Sequence, residues 1–432
     1  MSRAEGGALN PGVGRREVFA WAMYDFANSG YTTVVLTAVF SAYFVGVVAG
    51  GAPWATFAWT AALSVSYAIV MFTMPLIGAW VDRRAAKKRF LLFSTVGCVL
   101  STAALALVGR DAVVLGVLLI VISNVCYSWG ESLIAAFLPE LAQPQALGRV
   151  SGWGWGFGYL GGMLALGLSL VVVLQAQAAG QSAEQFVPKT MWITAGIFAA
   201  SAVVTFVWLR ERALPSADAG NGGLRQAWSQ LRTTFRQAQR YRDFMWLLAC
   251  AVAYQGGVAV TITLAAIYAE QVIGFEKQET MVLIFVLNIA AAVGAFAFGH
   301  WQDKVGHKRA LGVTLLGWVL TCVIAALTTT KGGFWYAAAI AGVCMGSSQS
   351  AGRALAGLFA PPAQLAEFYG LWGFAIRLSS IVGPLSYGAI TWMTGGNQRI
   401  AIAATTLMFL AGWVLLQRVD VERGRLAALG ST

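Results

Sequence analysis

The stretch GHWQDKVGHKR at 299–309 decides the fold of this chain, because its residue pattern occurs twice. The earlier copy is GAWVDRRAAKKR at 78–89, and it places Asp82 where the later copy has Asp303. The spacing between Asp82 and Asp303 recurs, to within one position, between Gly148 and Gly370, which lie beyond the two copies. We call this spacing the repeat offset. A constant offset over so much of the chain predicts two structurally equivalent halves.

Apolar runs of about 20 residues flank each copy, and a run of that length crosses a hydrocarbon core as a helix. The composition agrees, since 58% of the 432 residues are hydrophobic and only 11% are charged. We therefore predict an all-α integral membrane protein with 12 transmembrane helices in two pseudo-symmetric six-helix bundles. The predicted spans are 20–48, 54–80, 90–109, 113–136, 150–174, 190–209, 244–269, 279–299, 310–329, 334–358, 370–393 and 399–417.

The distribution of basic residues predicts the orientation. One set of loops between the spans carries 22 Lys and Arg residues, and the other set carries five. Because cytoplasmic loops are rich in Lys and Arg, we expect both termini in the cytoplasm and the chain in the inner, or plasma, membrane. These loops also account for the net charge of +11, so we expect no nucleic-acid partner. The expected partners are the lipid bilayer and a small-molecule substrate, and the expected state is a monomer.

The longest polar stretch, 210–242, predicts a cytoplasmic linker between an N-terminal half, 1–209, and a C-terminal half, 243–432. It begins with LPSADAGNGG, a composition typical of flexible linkers. Apolar residues then recur at helical spacing among arginines, which predicts an amphipathic helix on an anionic leaflet. These residues are Leu224, Trp228, Leu231 and Phe235.

The repeated pattern resembles the loop signature of the major facilitator superfamily, G-x-x-x-D-[RK]-x-G-x-[RK]-[RK]. The copy at 299–309 matches every fixed position, whereas the copy at 78–89 has Ala85 at the second glycine. Three other stretches resemble the vacuole-effluxer-like branch, also called the unknown major facilitator family. They are 21–40, 148–162 and, from the tenth to the eleventh span, 347–359 with 366–373 and 383–384. The resemblance implies a secondary transporter with a central cavity between its halves. Eukaryotic members of that branch are associated with amino-acid export, so the resemblance implies this activity as well.

A charge in the middle of a bilayer costs roughly 2.5–3.5 kcal/mol, so charged residues inside spans are functional candidates. Glu131 and Arg353 are separated by the repeat offset, so they occupy equivalent positions in the two halves. By the family resemblance, the helices that carry them would face each other across the cavity. We predict that they pair when the cytoplasmic side is closed. The alternative is a static buried ion pair, or separate contacts within each half.

Further polar residues inside spans are candidates for the same cavity. Asp25, Asn28 and Ser29 share one helical face. Asp25 suits proton coupling or recognition of a substrate amine, and the alternative is a cap near the interface. Asn124 and Asn288 are in-span amides that could contact substrate or join helices.

The repeated loops predict a gate. By the resemblance, Asp82 docks at the start of the eleventh span and Asp303 docks at the start of the fifth span. The gate residues that we predict are Gly78, Asp82, Arg83, Gly299, Asp303, Lys304, Arg149 and Arg377.

Enzyme functions are disfavoured. The sequence has no Gly-x-x-x-x-Gly-Lys-[Ser/Thr] loop, and its two histidines, His300 and His307, both fall in one loop. We expect no catalytic residue, metal or cofactor. The predicted function is secondary transport of a small polar solute, such as an amino acid, by rocker-switch alternating access, with the proton as a candidate coupling ion. The alternative is a non-transporting membrane sensor or assembly protein.

Overall fold

The computed structural model describes residues 7–215, 228–229, 232–233 and 240–430. In these residues the regular structure is helical, and one isolated bridge joins Leu9 to Ala142. The predicted amphipathic helix after the linker lies largely outside the described residues.

The long helices follow the predicted spans in order. The first, α1, runs from Arg15 to Val48 and includes π-helical stretches at Thr32–Ala38 and Phe44–Val48. The others are α2 (Ala55–Arg84), α3 (Lys87–Ala104), α4 (Val113–Ala135), α5 (Leu147–Ala178), α6 (Ala183–Trp208), α7 (Arg242–Tyr268), α8 (Lys277–Val305), α9 (His307–Leu327), α10 (Lys331–Phe359), α11 (Leu365–Met393) and α12 (Gln398–Gln417). A short helix, α13 (Val421–Leu429), follows.

Ten helices in the described residues are long and apolar enough to cross a membrane. The helices α10 and α11 are not among the ten, although each has 29 residues and is long enough to span. They carry Arg353 and Arg377. These two helices are therefore less apolar, and they supply polar residues that face the interior.

The repeated pattern ends its helix at a residue of positive φ in both halves. Ala85, which caps the C-terminus of α2, has φ 47°, and Gly306 after α8 has φ 92°. Left-handed backbone is free of steric cost for glycine and costs other residues about 1–2 kcal/mol. Ala85 therefore adopts a left-handed conformation at the position where the pattern places a glycine, at some cost in stability.

Each half ties its first helix to the segment after its last helix. Glu17 in α1 accepts from Arg212, with Nη1 at 2.5 Å, and Asp243 in α7 accepts from Arg423, with Nε at 2.7 Å. Glu211 also accepts from the backbone amide of Lys87, at 2.7 Å. Partial burial raises the pKa of Glu211, although that hydrogen bond acts in the opposite direction. These contacts favour movement of each six-helix set as one body.

The two halves pack along two helix pairs, α5 with α8 and α2 with α11. The glycine that opens each copy of the pattern allows this approach. A Cβ on Gly78 would lie 2.8 Å from Glu367 Cα, and a Cβ on Gly299 would lie 3.1 Å from Arg149 Cα. The first distance excludes a side chain there, so the pattern glycine is a packing requirement of the seam.

The hydrogen bonds across the seam lie toward one end of the helices, which we call the basic side because the Arg- and Lys-rich helix junctions 83–89 and 304–309 lie there. Among the described residues, the bonded groups lie between positions 25 and 151 in the first half and between positions 303 and 377 in the second. None of these bonds joins the other ends of α1 and α7. The structure is thus closed on the basic side.

Candidate functional site

A cavity of about 100 Å³ lies on the seam, lined by residues of both halves. That volume holds several water molecules. The lining residues are Asp25, Asn28, Ser29, Thr32, Tyr127, Glu131, Ser132, Ala135, Trp155, Gln349, Arg353, Tyr369, Trp372, Gly373, Ile376 and Arg377. The three charged residues predicted for the cavity therefore meet in one place, and Arg377 joins them.

Arg353 of α10 holds three groups of the first half. Its Nη1 lies 2.7 Å from Asp25 Oδ2 in α1, while its Nε and Nη2 donate to the hydroxyl and the carbonyl oxygen of Ser151 in α5, at 3.1 and 2.8 Å. The guanidinium carbon also lies 4.8 Å from the ring centroid of Trp21 and 5.3 Å from that of Trp155. We call these five residues the Arg353 cluster.

The Arg353 cluster is sealed. The Arg353 and Asp25 side chains are only 7% and 10% exposed. Gly154 lies directly against the pair, since a Cβ there would fall 2.5 Å from Arg353 Nη2 and 2.7 Å from Trp21. Glycine at this position therefore makes room for the ion pair.

Arg377 of α11 forms a second ion pair across the seam, with Glu131 of α4. Its guanidinium carbon lies 5.4 Å from the ring centroid of Tyr67 and 5.8 Å from that of Tyr127. The Arg377 side chain is 10% exposed, whereas Glu131 is 31% exposed and lines the cavity. We call these four residues the Arg377 cluster.

The predicted pair of Glu131 with Arg353 is wrong in this conformation, because each residue has another partner. The repeat explains the difference. The repeat offset makes Trp155 the residue of the first half that is equivalent to Arg377. Each half thus presents a side chain from its second-last helix to a charged residue of the opposite half: Arg377 pairs with Glu131, and Trp155 stacks on Arg353.

Arg377 does not lie at the gate, where the sequence analysis placed it. It lies three helical turns beyond the start of α11, at the cavity. Its charge inside the predicted span 370–393 was one sequence signal for the cavity, and its equivalence with Trp155 was a second.

Two lining residues have buried polar atoms without a hydrogen-bond partner in the part of the protein that the structure describes. They are Oδ1 of Asn28, a residue only 5% exposed, and Nε1 of Trp155. The first accepts a hydrogen bond and the second donates one. Buried polar atoms normally have partners, so this acceptor and donor suit a polar solute. Ser29 also lines the cavity, as the sequence predicts.

The two other predicted amides do not line the cavity. Asn124 donates to Ser66 Oγ at 2.5 Å, which joins α4 to α2 inside the first half. Asn288 donates to Ile284 O at 2.9 Å within its own helix. The nitrogen of each amide thus has a partner within its own half, whereas Asn124 Oδ1 has none among the described residues.

The loop aspartates dock on helix starts of the opposite half. Asp82 accepts from the backbone amides of Ala366 and Glu367 at the start of α11, at 3.1 and 2.9 Å. Asp303 accepts from Gly148 at the start of α5, at 2.9 Å, and contacts Arg149 Nε at 3.2 Å. A carboxylate is favourable at a helix N-terminus. Lys304 is exposed beside this contact.

Comparisons with known sequences agree with the pattern. The model of a family described as "Vacuole effluxer Atg22 like" matches residues 55–429. The uncharacterized MFS-type transporter YxiO of Bacillus subtilis (strain 168) is 26% identical over 412 residues, which cover 93% of this chain and 94% of that protein. Autophagy-related protein 22-1 of Penicillium rubens is 23% identical over 470 residues, with 89% and 78% covered.

Solved structures show the same fold. The human organic anion transporter MFSD10 (TETRAN) has a TM-score of 0.70 at 16% identity, with 93% of this chain and 99% of that chain covered. The major facilitator superfamily transporter FucP in the outward conformation has a TM-score of 0.70 at 14% identity, with 94% and 98% covered. The predicted all-helical membrane fold is confirmed.

Proposed function

This chain belongs to the Atg22-like vacuole effluxer family of major facilitator transporters, and we propose that it moves a small polar solute by rocker-switch alternating access through the seam. As a transporter it binds a small-molecule substrate and lies in a lipid bilayer. Rocking of two rigid halves around a central site is the usual mechanism of such folds.

The observation that carries the proposal is that two ion pairs cross the seam inside one cavity. Asp25–Arg353 and Glu131–Arg377 each join one half to the other. Opening of the basic side separates the halves and must break both pairs. A solute that replaces one partner of a pair can therefore favour one state over the other, which is the requirement for alternating access.

The proposed substrate is an amino acid. A zwitterion suits a cavity with two arginines and two carboxylates, and the unpartnered Asn28 Oδ1 and Trp155 Nε1 match an amine donor and a carboxylate acceptor. Glu131, the most exposed of the four charges, is the group that we expect a substrate amine to contact. The family description supports efflux as the direction.

Asp25 is the proposed coupling group. Protonation would remove the charge that holds Arg353 Nη1 and so loosen the Arg353 cluster. Proton-coupled flux predicts that Asp25→Asn loses the pH dependence of transport. A pH profile like that of the wild type would remove this role.

The proposed location is the plasma membrane, with both termini cytoplasmic and a monomer as the working unit. The distribution of Lys and Arg supports this orientation. A reporter that is active only outside the cytoplasm, fused after Thr432, should be inactive, and light scattering of the purified protein should give a mass near 45.8 kDa after correction for detergent.

The test of function is counterflow in liposomes that contain the purified protein. Vesicles preloaded with unlabelled amino acids should accumulate labelled amino acid, and Glu131→Gln and Arg353→Gln should each reduce the rate. Lys331→Gln is the matched control, because Lys331 pairs with Glu279 away from the cavity. Wild-type rates in both cavity variants would contradict the proposed site, and no counterflow of any amino acid would contradict the substrate.

A further inference from the structure

A second pocket lies on the basic side, outside the charged cavity. It occupies about 990 Å³ between the N-terminal segment, α1, α5 and α8. Its lining includes Arg15, Phe19, Arg149, Phe157 and Phe296. The residues that line it are all different from those that line the cavity on the seam.

The N-terminal segment that borders the pocket is fixed to the loop after α4. Leu9 forms the isolated bridge with Ala142, and the Asn10 side chain donates to the carbonyl oxygens of Pro139 and Glu140, both at 2.9 Å. Residues 7–10 therefore form a defined wall of the pocket.

Within the described part of the chain, arginines are the only charged residues that line this pocket. Arg149 is 35% exposed and contacts Asp303, which itself does not line the pocket. Arg15 is exposed and makes no ion pair among the described residues. A cation in the first turn opposes the helix dipole, so Arg15 does not stabilise α1 by its charge.

Three aromatic rings form an apolar wall of the pocket. The Phe19 and Phe157 ring centroids are 5.7 Å apart, and those of Phe157 and Phe296 are 6.2 Å apart, both in edge-on geometry. Phe19 is 41% exposed. An apolar surface of this kind, just inside the start of a membrane helix, suits acyl chains.

We propose that this pocket binds an anionic phospholipid, with the phosphate at Arg15 and Arg149 and the chains along the three phenylalanines. Basic pockets between helices near a membrane face are typical headgroup sites. A free phosphate would meet the same arginines, but it would use neither the volume nor the aromatic wall. The bound phosphate would also lie next to the gate, because Arg149 contacts the gate residue Asp303.

The experiment is a thermal-unfolding titration of the full chain in detergent. The probes are dihexanoyl phosphatidylglycerol, dihexanoyl phosphatidylcholine and glycerol 1-phosphate. A ligand of the folded state raises the melting temperature by mass action. We expect phosphatidylglycerol to give the largest increase, and we expect Arg15→Gln to weaken its apparent affinity about tenfold, as loss of one charged hydrogen bond does.

Two variants make the test specific. Arg89→Gln removes a charge from an exposed residue on the same side, outside the pocket, and should stay within about twofold of the wild type. Arg15→Lys keeps the charge and should retain most of the affinity. Equal stabilisation by glycerol 1-phosphate or by phosphatidylcholine would overturn the lipid assignment. An equal loss in Arg89→Gln and Arg15→Gln would overturn the site.

Discussion

The two clusters on the seam use the same chemistry with different exposure. In the Arg353 cluster, three donors of the guanidinium are bonded to Asp25 and Ser151, and the ion pair is sealed between two tryptophans. In the Arg377 cluster the ion pair crosses the same seam, but Glu131 is 31% exposed to the cavity. We infer that the Asp25–Arg353 ion pair of the sealed cluster holds the halves together and that Glu131 of the open cluster is the charge that meets the solute.

The repeat relates the different ion-pair partners of the two clusters to equivalent positions in the two halves. Glu131 and Arg353 are equivalent residues of opposite charge, and Arg377 and Trp155 are equivalent residues of opposite halves. Trp155 cannot form an ion pair with Arg353, so the arginine takes its carboxylate from Asp25 of α1. One half therefore supplies both carboxylates, and the other supplies both arginines.

The largest expected effect comes from breaking the sealed cluster. Arg353→Gln leaves Asp25 buried without a cation, and loss of one partner of a buried pair costs about 3–5 kcal/mol. We expect a large drop in melting temperature together with loss of counterflow. Asp25→Asn combined with Arg353→Gln should recover part of the melting temperature, because no buried charge remains in that pair. A single variant with wild-type stability would show that the cluster does not hold the halves.

Gly154→Ala tests the close packing around the Asp25–Arg353 ion pair without removing a charge. The added methyl group would overlap the ion pair and Trp21, and overpacking of this kind costs about 1–3 kcal/mol. We expect slower counterflow and a lower melting temperature. The matched control is Gly167→Ala on the same helix, where a Cβ meets nothing within 4 Å. Equal effects of the two substitutions would mean that α5 responds to helix changes in general.

Glu131→Gln tests the open cluster. The substitution leaves Arg377, only 10% exposed, without its anion, but the neutral amide can still accept from that guanidinium and the position opens to the cavity. We therefore expect a stability loss of about 1 kcal/mol, smaller than that of Arg353→Gln. Counterflow should fall through a higher KM for the solute while the melting temperature stays near that of the wild type. A loss of stability as large as that of Arg353→Gln would erase the distinction between the clusters.

The smallest expected effect is that of Asn288→Ala, at a polar residue outside both clusters. Among the described residues its amide bonds only to its own helix, so stability should change by no more than about 0.5 kcal/mol. Counterflow and melting temperature should both match the wild type. Slower counterflow would indicate that the transport path extends beyond the seam cavity.

The fold was predictable from apolar run length and the repeat, whereas the gate contacts were predictable only from the family resemblance of the repeated loop. Apolar run length determines the spans, and the repeated loop places Asp82 and Asp303 at helix ends, where exposed amides favour an anion. The ion-pair partners were not predictable in this way. Charge and offset paired Glu131 with Arg353, but side-chain direction and the neighbour on the adjoining helix, Trp155, decide the actual contacts.

The most direct test of the sealed cluster measures the distance across the basic side. Spin labels at Arg89 and Arg309, exposed residues on opposite halves, report whether that side is closed. We predict one short distance in the wild-type protein and a large longer-distance population in Arg353→Gln. Glu131→Gln should shift the distribution much less. A distribution in Arg353→Gln identical to that of the wild type would contradict the claim that the Arg353 cluster holds the two halves together.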